Sequence, residues 1–178
     1  MGQVYEIESK QFKISVLKKG AQLCEFINKL NNEAILWDAN PDFWAKHSPI
    51  LFPNIGKIKN DFYTLQHKTY QLPKHGFVKD AEWDLVNLDS NSITLKTCST
   101  PQTLEMFPFD FEILVSFILL ENGLKVEHLV KNTGLNSMYF SIGAHPAFKI
   151  PFHPDSNFSD YDLQFDKNEI CNELNLTP

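Results

Sequence analysis

Residues 109–134 read FDFEILVSFILLENGLKVEHLVKNTG, a long alternation of apolar and polar side chains. Successive side chains of a β-strand point to opposite faces, so this period of two predicts a strand with one apolar face. Asn122-Gly123 separates two alternating segments, which favours a β-hairpin. The apolar face of the first strand carries Phe109, Phe111, Ile113, Val115, Phe117 and Leu119. One face of the return strand carries Leu124, Val126, His128 and Val130.

The same alternation recurs on the N-terminal side of this hairpin. Further hairpins are predicted at 81–88 with 93–97, at 62–66 with 69–72, and at 12–17 with 21–27; single strands are predicted at 33–37 and 162–165. Helix is expected in under roughly 10% of the chain, with one short turn at 42–46. The pattern is typical of an antiparallel all-β fold, either a sandwich or an open barrel.

The chain has 178 residues, which suits one domain over residues 1–178. It stops soon after the strand predicted at 162–165, with no closing element. A large sheet that stops early exposes unpaired edges, which natural folds avoid. We therefore expect a domain truncated at its C-terminal side, with self-association through exposed sheet edges.

Composition excludes several classes of protein. The net charge is −6, and all 16 basic residues are Lys, so binding to nucleic acid is not expected. Cys24, Cys98 and Cys171 are far apart and form no C-x-x-C motif, which disfavours a disulfide framework or a zinc ribbon. The N-terminus lacks the pattern of a signal peptide, and no apolar run is long enough to span a membrane. These features predict a cytoplasmic protein without a membrane partner.

Two of the six histidines stand in unusual surroundings. His75 lies in LPKHGFVKD (72–80) and His145 in YFSIGAHPAF (139–148), each beside Gly or Pro and close to aromatic residues. Glycine lets a ligand approach the backbone, and aromatic rings pack against the C–H faces of sugars. Taken alone, both segments fit structural histidines in turns better than a sugar site. The histidines show no H-x-H or H-E-x-x-H spacing, so no metal site is predicted.

Four segments in this order carry a resemblance to a known family: SPILFPNIGK (48–57), KHGFVKD (74–80), FPF (107–109) and IGAHPAF (142–148). Together they resemble the aldose 1-epimerase (galactose mutarotase-like) family, in particular its LacX-like branch, over essentially the whole chain. The resemblance implies an antiparallel β-supersandwich. It also implies an isomerase that interconverts the α and β anomers of a hexose, with or without a phosphate group, and needs no cofactor.

The resemblance also implies roles for individual residues. His145 corresponds to the general acid at the ring oxygen, and His75 to a second catalytic histidine that orients the sugar. The implied substrate-binding residues are Lys57, Phe77, Lys79 and Phe148. The general base of the family is a Glu that is expected beyond residue 178. Relatives usually carry Arg where Lys57 and Lys79 stand, and Lys lacks the planar fork of Arg.

One other interpretation is compatible with these residues. A non-catalytic carbohydrate-binding β-sandwich could keep the histidines and lack the base. A cupin-like metal enzyme is disfavoured because the sequence holds no cluster of metal ligands.

Overall fold

The hairpin at residues 111–132 is the longest pair of strands in the described structure. The computed structural model describes residues 2–153 and 155–167. β10 (Phe111–Leu120) pairs antiparallel with β11 (Gly123–Asn132), in a register that joins Phe111 to Asn132 and Leu120 to Gly123. The buried residues of β10 alternate strictly with partly exposed ones, so the period of two in the sequence is the period of burial.

Two features of this hairpin differ from the prediction. The strand begins at Phe111 because the Phe109 N–H donates to the carbonyl of Phe107 at 2.8 Å instead of joining the ladder. Glu121 and Asn122 form the turn, and Gly123 is already the first residue of β11. Neither Asn122 nor Gly123 takes a positive φ, so the Asn-Gly pair marked the hairpin correctly but not its turn geometry.

The described strands form two four-stranded antiparallel sheets and two small pairs. The first sheet, in spatial order, holds β1 (Val4–Glu8), β2 (Phe12–Leu17), β3 (Gln22–Asn28) and β4 (Glu33–Ala34). The second sheet holds β11, β10, β9 (Ser92–Cys98) and β8 (Asp84–Leu88). The small pairs are β5 (Ile50–Leu51) with β12 (Gly143–Ala144), and β6 (Phe62–Leu65) with β7 (Lys68–Gln71).

One hydrophobic core joins the apolar faces of the two large sheets. Fully buried side chains come from the first sheet, the second sheet and the segments between them: Ile14, Val16, Ile93, Leu95, Ile113, Val115, Phe52 and Trp83. Apolar burial of this extent is the main favourable contribution to folding. The antiparallel all-β fold predicted from the sequence is confirmed.

Helical structure is scarce in the described residues, as predicted, but the one α-helix that they form was not foreseen. α1 (Pro101–Met106) follows Thr100, whose hydroxyl accepts from the Thr103 N–H at 3.2 Å. The Thr103 hydroxyl accepts from the Thr100 N–H at 2.8 Å, which completes a capping box. The part of the chain that the structure describes also holds three short 3₁₀ turns, at Lys59–Asp61, Val78–Asp80 and Phe158–Asp160.

Two strand predictions need correction. β4 covers only Glu33–Ala34 of the strand expected at 33–37, although Leu36 forms an isolated bridge with Phe148. Residues 162–165 form no strand, and Leu163 and Phe165 are exposed because no partner strand lies beside them in the described structure. No helix in the described residues is long and apolar enough to cross a membrane.

Candidate functional site

A pair of hydrogen bonds to Gly56 holds His75. The His75 N–H donates to the Gly56 carbonyl at 2.9 Å, and the Gly56 N–H donates to His75 Nδ1 at 3.0 Å. Because Nδ1 accepts a backbone N–H, it carries no proton, and the neutral ring bears its proton on Nε2. The backbone therefore sets both the position and the tautomer of this imidazole.

The backbone at His75 is bent into the left-handed region, with φ of 65° at His75 and 67° at Gly76. A Cβ at Gly76 would lie 1.9 Å from the carbonyl oxygen of Phe52, so no other residue fits there without movement of the chain. The same carbonyl accepts the Phe77 N–H at 3.1 Å. Glycine at position 76 thus lets the His75 loop lie directly against the segment that follows β5.

His145 is placed by the pairing of β5 with β12. β12 ends one residue before His145, whose N–H donates to the Pro49 carbonyl at 3.1 Å. The indole of Trp44 packs against the imidazole of His145, with ring centroids 5.0 Å apart and planes inclined by 45°. Since Pro146 follows, the backbone of His145 is held extended.

These two loops bring the imidazoles of His75 and His145 together, with ring centroids 6.1 Å apart. Both line a cleft of about 300 Å³. Its other lining residues are Trp44, Lys46, Pro49, Leu51, Lys74 and Lys79. The cleft therefore combines two acid–base groups, one aromatic face and three ammonium groups, and no carboxylate lines it in the described part of the chain.

Asp80 lies behind the lysines and contacts two of them. Its carboxylate pairs with the ammonium of Lys79 and lies 3.5 Å from Lys46 Nζ. Burial opposes ionisation of Asp80, but the two ammonium groups outweigh it and hold the pKa of its carboxyl below the usual value. Asp80 is therefore an ionised anchor that fixes Lys46 and Lys79.

The surroundings of His75 favour its neutral form. Burial and then the positive charges of Lys74, His145 and Lys79 lower the pKa of its imidazole. The hydrogen bond from the Gly56 N–H acts in the same direction, because protonation at Nδ1 would break it. At neutral pH His75 thus presents Nε2–H as a hydrogen-bond donor.

Comparison with known proteins agrees with this fold. The sequence model of the aldose 1-epimerase family matches residues 3–178. The chain belongs to the aldose 1-epimerase family. It is similar to the plasmid and chromosomal LacX proteins of Lactococcus lactis subsp. lactis, each 31% identical over 172 residues, or 93% of this chain. It covers 57% of each LacX protein.

Solved structures of the family share the architecture. A galactose mutarotase-like protein from Lactobacillus casei is 36% identical with a TM-score of 0.82, over 86% of this chain and 52% of that protein. A galactose mutarotase related enzyme from Lactobacillus acidophilus is 35% identical with a TM-score of 0.85, over 89% of this chain and 53% of that one. The predicted mutarotase-like β-supersandwich is therefore confirmed.

Among the substrate-binding residues implied by the family, only Lys79 lines the cleft of the histidines. Lys57 follows Gly56, and its ammonium lies 3.6 Å from the carboxylate of Asp61. Phe77 turns towards the core, where its ring centroid lies 6.4 Å from Phe52. Phe148 lies elsewhere, in the wall of a second cavity, and is 43% exposed.

Three residues of the cleft were not predicted as site residues: Trp44, Lys46 and Lys74. Lys74 stands next to His75 in the sequence and could have been included on that ground. Trp44 and Lys46 belong to the loop before β5 and reach His145 only through the pairing of β5 with β12. No local pattern in the sequence signals that approach.

The second cavity is apolar and lies between the two large sheets. Leu23, Phe26, Phe117 and Leu124 line it, together with His128, whose buried Nε2 has no hydrogen-bond partner in the described structure. Burial lowers the pKa of His128, so its imidazole stays neutral. With one imidazole and an apolar wall, this cavity lacks the groups for acid–base chemistry on a polar sugar.

No cysteine among the described residues lines the cleft. Cys24 is half buried, its thiol donates to the Ser15 carbonyl at 3.2 Å, and burial raises its pKa to about 11. Cys171 lies outside the described residues. The described residues contain no group of three potential metal ligands.

Proposed function

We propose that this chain contributes the histidine side of an aldose 1-epimerase site, which interconverts the α and β anomers of a hexose. The observation that carries the proposal is the pair of imidazoles, 6.1 Å apart in one cleft. Membership in the aldose 1-epimerase family supports it. A cytoplasmic location stays a prediction.

The proposed reaction needs proton transfer at two oxygens of the sugar. A base removes the proton of the anomeric hydroxyl while an acid protonates the ring oxygen, so the C1–O5 bond breaks. The open aldehyde rotates about C1–C2, and the ring closes on the opposite face with the two proton transfers reversed. The net reaction leaves atoms and charge unchanged, so it requires no oxidant, reductant or cofactor.

In this proposal His145 is the general acid at the ring oxygen. Imidazole suits that role because its ordinary pKa of about 6.5 lies close to neutral pH. His75 donates Nε2–H to the same region of the sugar and orients it, since Nδ1 is occupied by Gly56. Trp44 offers an apolar face to the sugar ring beside His145.

The remaining proposed roles are those of the other substrate-binding residues and of the general base. Lys79 binds the substrate from the wall of the cleft. Lys57, Phe77 and Phe148 do not line this cleft, and their roles in substrate binding stay predictions. The general base is proposed to be a Glu beyond residue 178, in keeping with a described cleft that no carboxylate lines.

The test compares mutarotation by this chain with that of a longer form translated to the stop codon of the gene. Fresh α-glucose and α-galactose are followed by polarimetry at equal protein concentration. We expect an active long form and a nearly silent short form, because a general base typically contributes about 10²- to 10⁴-fold. Equal activity would show that a carboxylate within residues 1–178 acts as the base.

Variants of the long form separate catalysis from folding. His145→Asn is expected to lower kcat by about 10²-fold or more, whereas His75→Asn should lower kcat and raise KM. His67→Asn is the control, because His67 lies in the exposed turn between β6 and β7. Full activity of His145→Asn would overturn the assignment of the acid.

A non-catalytic carbohydrate-binding protein is the second candidate. Among the described residues, imidazole, indole and ammonium groups line the cleft and no carboxylate does, and this observation favours the second candidate. If the long form binds sugars through this cleft but does not accelerate mutarotation, the binding function replaces the enzymatic one.

A further inference from the structure

Asn54, in the segment that follows β5, is a buried polar side chain whose hydrogen bonding is incomplete. The residue is 9% exposed. Its Nδ2 donates to the Gly56 carbonyl at 3.0 Å, whereas its Oδ1 is buried and has no hydrogen-bond partner in the described structure. The two other buried polar residues that the structure describes, Ser15 and Gln22, both form hydrogen bonds through their side-chain oxygens. Of these three residues, Asn54 alone is left with an unpaired buried oxygen.

The unpaired oxygen of Asn54 lowers the stability of the fold. A buried acceptor without a partner typically costs more free energy than one hydrogen bond contributes. The Gly56 carbonyl does not depend on Asn54 for a partner, since it also accepts the His75 N–H at 2.9 Å. A leucine of similar shape at position 54 would avoid the cost of the unpaired oxygen. Stability therefore does not account for an asparagine at this position.

The hydrogen bond of Asn54 ends on the residue that sets the tautomer of His75. The Gly56 carbonyl accepts from Asn54 Nδ2, and the Gly56 N–H donates to His75 Nδ1 at 3.0 Å. Gly56 has a φ of 79°, and nothing lies within 4 Å of a Cβ added to it, so side-chain packing does not fix its conformation. The direction of the Gly56 N–H therefore depends on the hydrogen bonds that hold the carbonyl of the same residue.

We propose that Asn54 is a positioning residue for His75. By fixing the Gly56 carbonyl, it directs the Gly56 N–H at His75 Nδ1 and so keeps the proton of the neutral ring on Nε2. Asn54 does not line the cleft, so it acts on a ligand only through His75. The inference rests on the proposed function for the use of that Nε2–H at a sugar oxygen, but the tautomer itself is a property of the free protein.

Imidazole NMR of the 178-residue chain tests the proposal directly. In Asn54→Leu we expect a larger share of the neutral His75 ring to carry its proton on Nδ1. We also expect the pKa of His75 to rise by about 0.5, since protonation of Nδ1 then breaks a weaker hydrogen bond. Burial and the charges of Lys74, His145 and Lys79 also lower that pKa, and the substitution leaves those charges in place. Asn54→Ala removes the same amide without a larger side chain, which keeps the test decisive if leucine prevents folding.

Asn132→Leu is the matched control. The side chain of Asn132 also binds the backbone of its own loop, because its Nδ2 donates to the Asn136 carbonyl at 2.7 Å and its Oδ1 accepts the Gly134 N–H at 3.0 Å. Asn132 does not line the cleft, so its substitution should leave the tautomer and the pKa of His75 unchanged. An unchanged His75 in both variants of Asn54, or the same change in Asn132→Leu, would overturn the proposal.

Mutarotation by the long form separates this inference from the proposed function. Asn54→Leu should lower kcat/KM by about three- to tenfold, and it should have no further effect when His75→Asn is already present. An equal loss with and without His75→Asn would show that Asn54 acts by another route, which would overturn the proposal. A changed tautomer of His75 without mutarotation by any form supports the positioning role and refutes the proposed enzyme. Mutarotation by the long form with an unchanged tautomer in Asn54→Leu does the reverse.

Discussion

His75 shows how one backbone contact sets the chemistry of a side chain. The Gly56 N–H occupies Nδ1, so the neutral ring can donate only through Nε2. Burial and the neighbouring positive charges of Lys74, His145 and Lys79 lower its pKa, which keeps that neutral form populated. The group is therefore suited to hold a sugar oxygen, and an anion in the cleft would raise its pKa again.

Imidazole NMR can check the tautomer and the titration together. We expect the ¹⁵N shifts of His75 to report a proton on Nε2, and Lys74→Met to raise the pKa of His75 because a positive charge is removed. Lys10→Met should leave that pKa unchanged. A protonated Nδ1 in the neutral ring would contradict the hydrogen bond from Gly56.

The lowered pKa of His75 also has a consequence for stability. The unfolded chain takes up a proton near the ordinary histidine pKa of about 6.5, whereas the folded chain resists it to lower pH. Neutral His75 therefore contributes stability above about pH 6.5 that is lost as the pH falls towards its folded pKa. Urea unfolding between pH 7 and 5 should show a smaller pH dependence in His75→Asn than in the parent chain.

Gly76 is the residue whose replacement should most disturb the site. Alanine there would combine a left-handed φ with a Cβ 1.9 Å from the Phe52 carbonyl oxygen. We expect Gly76→Ala to cost about 2 kcal/mol or more in the free energy of unfolding, measured by denaturant titration. Gly123→Ala is the control, because nothing lies within 4 Å of its added Cβ. Equal stabilities for the two variants would show that the loop at 75–76 can move at little cost.

Among the elements, α1 has a capping box at its start, and the residues at its end contact the core next to the cleft. The helix ends at Met106, whose carbonyl accepts the Tyr63 hydroxyl at 2.9 Å. The next residue, Phe107, packs its ring 5.7 Å from that of Phe52. The capping box at Thr100 therefore helps to hold the ring of Phe107 against that of Phe52, which directly follows β5.

Removal of the cap tests this connection. Thr100→Ala is expected to lower the free energy of unfolding by about 1 kcal/mol, since it deletes a side-chain acceptor at the helix start. Gln102→Ala, at an exposed position of the same helix, should change stability by less than about 0.5 kcal/mol. A loss of the same size in both variants would show that the effect does not come from the cap, since alanine is the better helix former at position 102.

At the scale of the whole molecule, the two outer strands of the second sheet expose apolar side chains. All five residues of β8 are exposed, and on β11 Leu129 is 59% exposed. In the described structure no strand pairs with the outer side of either β8 or β11. Unpaired edges with apolar side chains favour pairing with another chain.

We therefore expect this chain to associate with itself as its concentration rises. Sedimentation velocity should detect the association, and Leu129→Lys should weaken it because a charged residue opposes edge pairing. Leu30→Lys is the control, since Leu30 is 72% exposed in the turn between β3 and β4. A monomer at every concentration would refute association through these edges.

The local pattern of residues was enough to predict the four hairpins β2–β3, β6–β7, β8–β9 and β10–β11, but not β1, β5 and β12 or the pairing of β9 with β10. Alternation in a strand is set by the geometry of each residue and its two neighbours, so the buried face of β10 could be read directly from 111–119. The motifs around His75 and His145 were likewise visible, because each is a short segment. α1 escaped because Thr100 and Thr103 form a capping box with Thr in place of the usual Glu or Gln.

The composition of the cleft depended on the tertiary structure. Trp44 and Lys46 meet His145 through the pairing of β5 with β12, and His75 meets Gly56 through hydrogen bonds between separate loops. Packing also keeps two predicted site residues out of the cleft. Phe77 turns to the core, and Phe148 lines the second cavity. Sequence neighbours share a local conformation, but the groups that face one cleft are chosen by long-range pairing and by which side of each loop is buried.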